Sequence, residues 1–378
     1  MHFSLDLKEN GGRGFREIHS IKDGTDVLDE ITFWRSSTLK FTSAVLQIDT
    51  EKTIQKITAA IRKHVLKVLH RKGAVVGMSG GVDSSVCAAL CAKALGTANV
   101  LALFMPERDS SPESLRLGKL VAENLGIPSA LEDIEPVLRG SDCYRRQVEA
   151  IQATFPDYDE RWKCKVVFPS KLKESRLSVF ELVVQTPSGE LKSARMDYHV
   201  YLRLIAATNF KQRIRKMMEY YHADRLNYAV CGTPNRLEYD QGFFVKNGDG
   251  SADFKPIAHL YKTQVYDLAK ALGIPPEVTT RPPTTDTFSL PQTQEEFYFT
   301  LPYRKMDLCL FGYNHNVSAE DVAREIALTP EQIERIYRDI EAKRRGTRYL
   351  HLSPLLTDTI PEVTHEYAEY PNIFFVRE

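Results

Sequence analysis

The segment 79–85, Ser-Gly-Gly-Val-Asp-Ser-Ser, constrains the fold more than any other part of the sequence. The apolar run 74–78 before it predicts a buried strand, and residues 86–95 after it predict a helix. Glycines at such a junction let a phosphate approach the backbone, and the N-terminal N–H groups of the helix can bind it. A tight turn would need only the glycines, so the serines and the acid indicate a phosphate-binding loop.

Strands and helices are predicted to alternate around this loop. Residues 100–104, 130–134 and 228–231 predict further buried strands, and a helix is predicted to begin at Pro112 after the cap residue Ser111. Strand and helix in alternation indicate a parallel sheet covered on both faces by helices. The predicted fold class is therefore α/β, with a doubly wound parallel sheet.

The 378 residues are predicted to form one main domain with additions. Residues 1–51 are predicted to be an N-terminal extension, and 52–378 the α/β domain with a helical C-terminal region. The alternation breaks at about 140–200, where the β-rich stretches 179–186 and 190–196 flank a Pro-Ser-Gly turn. We expect a β-hairpin to be inserted there.

Charge and cysteine usage exclude several classes of protein. Lys+Arg and Asp+Glu both number 50, and this balance argues against a dedicated nucleic-acid binder. No apolar run approaches the roughly 18 residues of a membrane helix, and the first residues do not resemble a signal peptide. Cys87 and Cys91 lie four apart on a predicted buried helix, and no CxxC pair occurs. We therefore expect reduced core cysteines and a cytoplasmic protein with neither nucleic acid nor membrane as partner.

A second set of polar residues follows the predicted strand 228–231. Glu238 and Asp83 are a plausible Mg²⁺ pair, because Mg²⁺ takes a few carboxylates together with phosphate oxygens and water. The ammonium group of Lys262 could neutralise the charge of a bound phosphate. Taken alone, Glu238 and Lys262 could equally be exposed surface residues. Thr233 and Thr284 offer short hydroxyl groups to a nucleotide.

The loop SGGxDSS resembles the pyrophosphate loop of the N-type ATP pyrophosphatases, whose fold is called adenine nucleotide alpha hydrolase-like. GMP synthetase, asparagine synthetase, tRNA thiolation enzymes and NAD synthetase share it. The resemblance implies cleavage of ATP between the α and β phosphates and an adenylated intermediate. The loop leaves open which acceptor is adenylated.

The second half of the chain resembles NAD synthetase. Residues 232–238 and 242–253 look like its GTxNxxE and GxFxKxGDGxxD segments, followed by a LxK match that ends at Lys262. Further similar segments, in the family's order, are 105–113, 209–215, 281–286 and 301–307.

This resemblance implies roles for particular residues. Asp83, Glu238 and Lys262 would be catalytic, with Asp83 and Glu238 as the Mg²⁺ ligands. The implied ATP-binding residues are Gly77, Ser79, Gly80, Gly81, Asp83, Ser84, Ser85, Thr233, Lys262 and Thr284. The implied substrate-binding residues are Arg213, Lys246, Asp249 and Asp253. Arg213 and Arg215 lie two apart and so point to different faces of a helix, and the family pattern favours Arg213.

The predicted reaction is the conversion of deamido-NAD, ATP and ammonia to NAD, AMP and pyrophosphate, with Mg²⁺ as cofactor. An amide ligase of the same superfamily acting on another carboxylate is the first alternative. A non-catalytic nucleotide-binding or RNA-binding relative is the second, and the intact Asp83, Glu238 and Lys262 argue against it. No glutaminase domain is recognisable, so the nitrogen is expected to come from free ammonia or from a separate glutaminase.

Some features depart from the family pattern. A late His-Lys pair is absent, and Arg348 or His351 could substitute for it. Gln212 and Thr285 stand at positions where the family pattern has alanine. The insertion at about 140–200 is foreign to the short ammonia-dependent enzymes. We expect it either to reshape the acceptor pocket as a lid or only to stabilise the fold.

The resemblance also implies a homodimer. An apolar helix over 205–218 carries Ile205, Ala206, Phe210, Ile214, Met217 and Met218. It is a candidate subunit interface, and a simple core helix is an equally good interpretation of the same pattern.

Overall fold

The computed structural model describes residues 40–167, 180–282, 287–293, 298–299, 301–358 and 360. They belong almost entirely to one compact unit, Thr42–Glu378. In chain order the strands are β1 (Ala74–Gly77), β2 (Val100–Phe104), β3 (Ser129–Leu131), β4 (Lys163–Val167), β5 (Glu181–Gln185), β6 (Leu191–Arg195) and β7 (Ala229–Cys231). The helices are α1 (Thr50–Arg62), α2 (Val82–Leu95), α3 (Pro112–Leu125), α4 (Glu135–Gly140), α5 (Cys143–Gln152), α6 (Tyr198–Leu226), α7 (Arg236–Gln241), α8 (Lys262–Ala271), α9 (Pro276–Thr279), α10 (Tyr303–Asn314), α11 (Ala319–Ile326) and α12 (Pro330–Thr347).

Four strands form the parallel sheet, in the order β3-β2-β1-β7. Val76 lies opposite Ala102 on β2 and Cys231 on β7, and it is fully buried, as a strand covered on both faces must be. One face packs against α1, α2, α3 and α8, and the other against α4, α5 and α6. The predicted doubly wound α/β fold is confirmed.

The strand order reverses direction at β1, because the chain runs outward through β2 and β3 and returns on the other side as β7. Ligands of open α/β sheets bind beyond the carboxyl ends of the strands at such a reversal. The loop that begins at Met78 leaves β1 there, and the segment that begins at Gly232 leaves β7 there. The topology therefore brings the two polar groups of the sequence to one edge.

The insertion forms a second, antiparallel sheet in the order β4-β5-β6. The predicted hairpin corresponds to β5 and β6, and β4 is a third strand that the sequence pattern did not predict. Cys164 and Val166 of β4 and Leu182 and Val184 of β5 point into a separate hydrophobic core.

All six cysteines are buried free thiols, including Cys87 and Cys91 on α2 as predicted. In the part of the chain that the structure describes, no helix is both long and apolar enough to cross a membrane.

Candidate active site

The predicted phosphate loop connects β1 directly to the first turn of α2. Gly80 has a left-handed φ of +73°, and a Cβ there would lie 2.3 Å from the carbonyl oxygen of Ser114. Only glycine meets both requirements without strain. The hydroxyl groups of Ser84 and Ser85 donate to the carbonyl of Gly81, at 3.1 and 2.8 Å. Helix α2 begins at Val82, earlier than predicted, so Asp83 stands in its first turn.

Asp83 is held by two side chains from the other half of the chain. It forms an ion pair with Lys262 and accepts a hydrogen bond of 3.2 Å from the amide of Asn235. Lys262 is only 2% exposed. Burial lowers the pKa of Lys262, but the charges of Asp83 and Glu238 and the hydrogen bond to Asp83 outweigh burial and raise it well above its usual value. Lys262 therefore stays positively charged.

Glu238 and Asn235 cap the N-terminus of α7 reciprocally. The backbone N–H of Asn235 donates to Glu238 Oε2 at 3.1 Å, and that of Glu238 donates to Asn235 Oδ1 at 3.2 Å. This capping box fixes Asn235, which in turn holds Asp83. Glu238 is half-buried and lines the same cavity as Asp83, and its role as a metal ligand stays a prediction.

The helix that carries Lys262 is anchored by Asp307 of α10. The Asp307 carboxylate accepts from the backbone N–H of Lys262 at 3.2 Å, from that of Thr263 at 2.7 Å and from the Thr263 hydroxyl at 2.6 Å. Asp307 is fully buried, and burial raises its pKa to about 6 against the opposing hydrogen bonds from Thr263 and Lys262. An anion at a helix N-terminus is stabilised by the exposed N–H groups, so Asp307 fixes the start of α8.

A cavity of about 460 Å³ lies beyond these groups. Nine of the predicted site residues line it, and they are Gly77, Ser79, Gly81, Asp83, Ser84, Thr233, Glu238, Asp249 and Lys262. Gly80 and Ser85 belong to the loop but are not among the lining residues. Thr284 lies outside the described residues.

Three of the predicted substrate residues lie elsewhere. Arg213 is exposed and its Nε donates to the backbone carbonyl of Lys246 at 3.3 Å. The Lys246 ammonium donates to the carbonyl of Tyr349 at 2.8 Å. Asp253 accepts from the backbone N–H of Val230 at 2.7 Å. None of the three lines the cavity. The fourth predicted substrate residue, Asp249, does line it, and burial raises the pKa of its carboxyl group.

Helix α6 contributes charged residues that the sequence reasoning did not select. Lys211, Arg215 and Glu219 line the cavity, at intervals of four residues. The Arg215 guanidinium donates to the carbonyl of Met105 at 3.3 Å. Glu219 pairs with Lys216 at 2.6 Å, and burial raises the pKa of Glu219 although Lys216 opposes the shift. The spacing i, i+4, i+8 of polar residues on one helix was the signal that could have found them.

The stretch that contains Arg348 and His351, which could substitute for the missing His-Lys pair, lies behind residues that line the cavity. The His351 ring meets Tyr239 and Phe244 edge-on, with centroid distances of 4.8 and 5.1 Å. Phe244 lines the cavity, and neither His351 nor Arg348 does. Burial lowers the pKa of His351. A direct replacement of the pair by either residue stays a prediction.

The chain is similar to known proteins in family, in sequence and in structure. A family model described as NAD synthase matches residues 53–179 and 165–347. An NH(3)-dependent NAD(+) synthetase from Mesorhizobium japonicum is 56% identical over 318 residues, which are 84% of this chain and 100% of that one. One from Thermotoga maritima is 34% identical over 288 residues, covering 76% of this chain and 94% of the other.

Two solved structures share the fold at low sequence identity. An NH3-dependent NAD synthetase from Campylobacter jejuni and an NMN synthetase from Francisella tularensis each align with a TM-score of 0.53 and 22% identity. Each alignment covers 82% of this chain and 100% of the other.

Proposed function

The chain belongs to the NAD synthase family of ligases, and on this basis we propose that it converts deamido-NAD, ATP and ammonia to NAD, AMP and pyrophosphate. The observation that carries the proposal is the single cavity of about 460 Å³ that residues of the predicted phosphate loop line together with Asp83, Glu238 and Lys262. The names of the relatives support ammonia as the nitrogen donor.

The reaction has two displacement steps. A carboxylate oxygen of deamido-NAD bonds to the α phosphorus of ATP, and the bond to the bridging oxygen breaks to release pyrophosphate. The nitrogen of ammonia then bonds to the activated carbonyl carbon, AMP leaves with the oxygen, and the nitrogen loses a proton. A carboxylate is a poor electrophile, and adenylation gives it a good leaving group. The chain's contribution is to position the reactants and to neutralise charge.

The phosphate side of the cavity suits the first step. The N-terminal N–H groups of α2 bind phosphate oxygens, because they have no partner within the helix. The Lys262 ammonium stands at the same turn and balances the charge that develops on the departing pyrophosphate. Asp307 holds the backbone of Lys262, and we propose that this contact keeps the ammonium in place.

Asp83 and Glu238 could together bind a magnesium ion. Asp83 and Glu238 are two carboxylates on one cavity, and phosphate oxygens and water would complete the octahedral shell that Mg²⁺ requires. Among the described residues no cluster of three or more metal-ligating side chains occurs, so binding would depend on the nucleotide. When bound, the ion supplies further neutralisation of phosphate charge.

We further propose a homodimer formed through one face of α6. Phe210, Ile214 and Met218 of the predicted interface pack into the core of the sheet instead. Met217 and Tyr221 are 51% and 58% exposed on the same helix, and they support a smaller contact surface. The buried free thiols support a reducing, cytoplasmic location.

The test is a reaction containing the protein, ATP, Mg²⁺, ¹⁵N-ammonium and deamido-NAD, analysed by mass spectrometry. The expected products are ¹⁵N-labelled NAD and AMP in equal amounts. Parallel reactions contain nicotinate mononucleotide or free nicotinate as acceptor, and glutamine as nitrogen donor. Formation of AMP and amide only with one of the other acceptors would disprove deamido-NAD as the substrate, and turnover with glutamine but not with ammonium would disprove free ammonia as the nitrogen donor.

A further inference from the structure

We propose that the inserted sheet β4–β6 is a specificity element of the cavity, because it supports the wall that receives the aromatic ring of the acceptor. This inference rests on the proposed function. The residues that carry it are Phe180, which stacks behind the lining residue Tyr201, and the segment 287–293, which pairs with β4.

The lining of the cavity has two parts with different origins. Gly77, Phe104 and Met105 come from the ends of β1 and β2, where a mononucleotide lies in open α/β sheets. A second part is aromatic and comes from outside the sheet. Tyr266 stands on α8 with Lys262, on the phosphate side, and the other members are Tyr201 on α6, Phe243 and Phe244 after α7, and Tyr298. ATP accounts for the first part, so the aromatic part remains for the ring of the second substrate.

Tyr201 owes its position to the insertion. Its ring stacks on Phe180 with a centroid distance of 3.5 Å and an interplanar angle of 15°. Phe180 stands just before β5 and does not itself line the cavity. Tyr201 and Ile205, which both line the cavity, pack against the hydrophobic core of the inserted sheet. Phe180 therefore supports the wall from behind.

Strand β4 holds a second part of the wall by hydrogen bonds. The backbone N–H of Leu290 donates to the carbonyl of Cys164 at 3.0 Å, and the N–H of Cys164 donates to the Ser289 hydroxyl at 2.9 Å. The Gln292 amide donates to the carbonyl of Val166 at 2.5 Å. These bonds fix the segment that begins with Thr287, a lining residue.

The buried Lys211 ties this segment to the loop after β2. Its ammonium donates to the carbonyl of Thr287 at 3.3 Å and to Asp109 at 2.6 Å, and it lies 3.1 Å from Glu107. Lys211 is 1% exposed, so these bonds are made without competition from water. The inserted sheet thus supports the aromatic part of the cavity from two directions.

Point substitutions test this role better than deletion. Leu182 and Val184 share a core with Leu204 and Phe288, so removal of the strands would expose apolar surface of α6. The informative variant is Phe180→Ala, with Phe180→Leu as a second variant that keeps apolar volume but cannot stack. The matched control is Leu191→Ala on β6, where the side chain is 63% exposed. Gln292→Leu tests the contact with β4 independently.

The KM values for deamido-NAD, ATP and ammonium are measured together with the thermal midpoint. We expect Phe180→Ala and Phe180→Leu to raise the KM for deamido-NAD by about 3- to 10-fold, the range that loss of an aromatic pair predicts. The KM for ATP should stay within about twofold, and Leu191→Ala should match the wild type. Gln292→Leu should raise the same KM.

Two results would overturn the inference. A lower thermal midpoint with an unchanged KM for deamido-NAD in both Phe180 variants would make the insertion a structural support only. A rise confined to the KM for ATP would assign the aromatic wall to the adenine of ATP. If the wild-type protein forms no NAD from deamido-NAD, the proposed function itself has failed, and that outcome is visible before any variant is made.

Discussion

Lys262 and Asp83 form an ion pair between the first turns of two helices, α8 and α2, that come from opposite halves of the chain. Lys262 is only 2% exposed whereas Asp83 is partly exposed to the cavity, so the lysine charge depends on Asp83 more than the carboxylate depends on the lysine. The chain thus brings together the cation that we propose for the phosphates and the carboxylate that we propose for a metal ion.

Asp83→Asn should abolish turnover while the fold survives. An amide keeps the shape of the side chain but cannot supply the negative charge that Mg²⁺ needs, and we expect NAD formation to fall by at least about 100-fold. Turnover is measured by NAD formation, and folding by circular dichroism. Glu123→Gln, at an exposed position on α3, is the control. Near-normal activity of Asp83→Asn at ordinary Mg²⁺ would show that the metal role is wrong.

Lys262→Met should lower both stability and activity, and a second substitution at Asp83 should restore the stability alone. The substitution leaves Asp83 without its partner, and an unpaired buried charge costs about 3–5 kcal/mol of unfolding free energy, somewhat less here because Asp83 is partly exposed. The double variant Asp83→Asn with Lys262→Met should recover most of that loss, because no unpaired charge remains. It should not recover activity. Urea unfolding and NAD formation measure the two quantities, and an additive loss of stability in the double variant would contradict the coupling.

The glycine-rich loop between β1 and α2 could be predicted from sequence because its determinants are local. Gly80, the serines and Asp83 lie within seven consecutive residues, and the strand and helix on either side follow from apolar patterning. The doubly wound sheet followed from the same alternation. Lys262 and Glu238 came from resemblance, because nothing local shows that Lys262 pairs with Asp83 or that Glu238 lines the same cavity.

The remaining features depend on contacts that no local pattern shows. Arg213 and Arg215 are equivalent in sequence, and only the packing of α6 turns Arg215 toward the cavity. Strand β4 was missed because the alternation of Lys163 and Lys165 with buried residues covers only five positions, and because part of its hydrogen bonding is to the distant segment 287–293. Phe180 stacks on Tyr201 at the core of the inserted sheet, a contact that neither residue's local pattern shows.

Asp307→Asn should change the pH dependence of stability. The pKa of Asp307 is raised to about 6 in the folded chain, from 3.8 as its ordinary value. Between these two pKa values the folded state binds more protons than the unfolded state. The contribution of Asp307 to the unfolding free energy therefore falls as the pH rises from about 4 to 6. The full decrease is about 3 kcal/mol.

An asparagine does not titrate. The unfolding free energy of Asp307→Asn minus that of the wild type should therefore increase as the pH rises through that window. Urea unfolding at several pH values from about 4.5 to 7.5 measures it, and other titrating groups cancel in the difference. Parallel profiles would show that Asp307 titrates near its ordinary pKa.

Met217→Glu should disrupt the proposed homodimer. A charged side chain at the centre of an apolar contact loses hydration without gaining a partner, which weakens association by about 10-fold or more. Light scattering at micromolar concentration gives the mass. Leu66→Glu is the control, since Leu66 is 45% exposed and follows α1 on the opposite face of the sheet. A wild-type protein that is monomeric at that concentration and fully active would refute the dimer.

Gly80→Ala and Gly126→Ala should differ in activity although both glycines have a left-handed backbone. Gly80 has a φ of +73° and Gly126 a φ of +64°, so an alanine costs about 1–2 kcal/mol of backbone strain at either position. Their surroundings differ. A Cβ at Gly126 meets nothing within 4 Å, whereas one at Gly80 lies 2.3 Å from the backbone oxygen of Ser114 and cannot be accommodated unless the loop or α3 moves.

We therefore expect Gly126→Ala to unfold at a slightly lower temperature and to keep activity within about twofold of the wild type. Gly80→Ala should lose at least about 100-fold in kcat/KM for ATP, because its loop N–H groups no longer converge on the phosphates. ATP titrations of NAD formation and the thermal stabilisation by ATP measure both effects. Equal kinetics in the two variants would mean that ATP binding does not depend on the conformation of this loop.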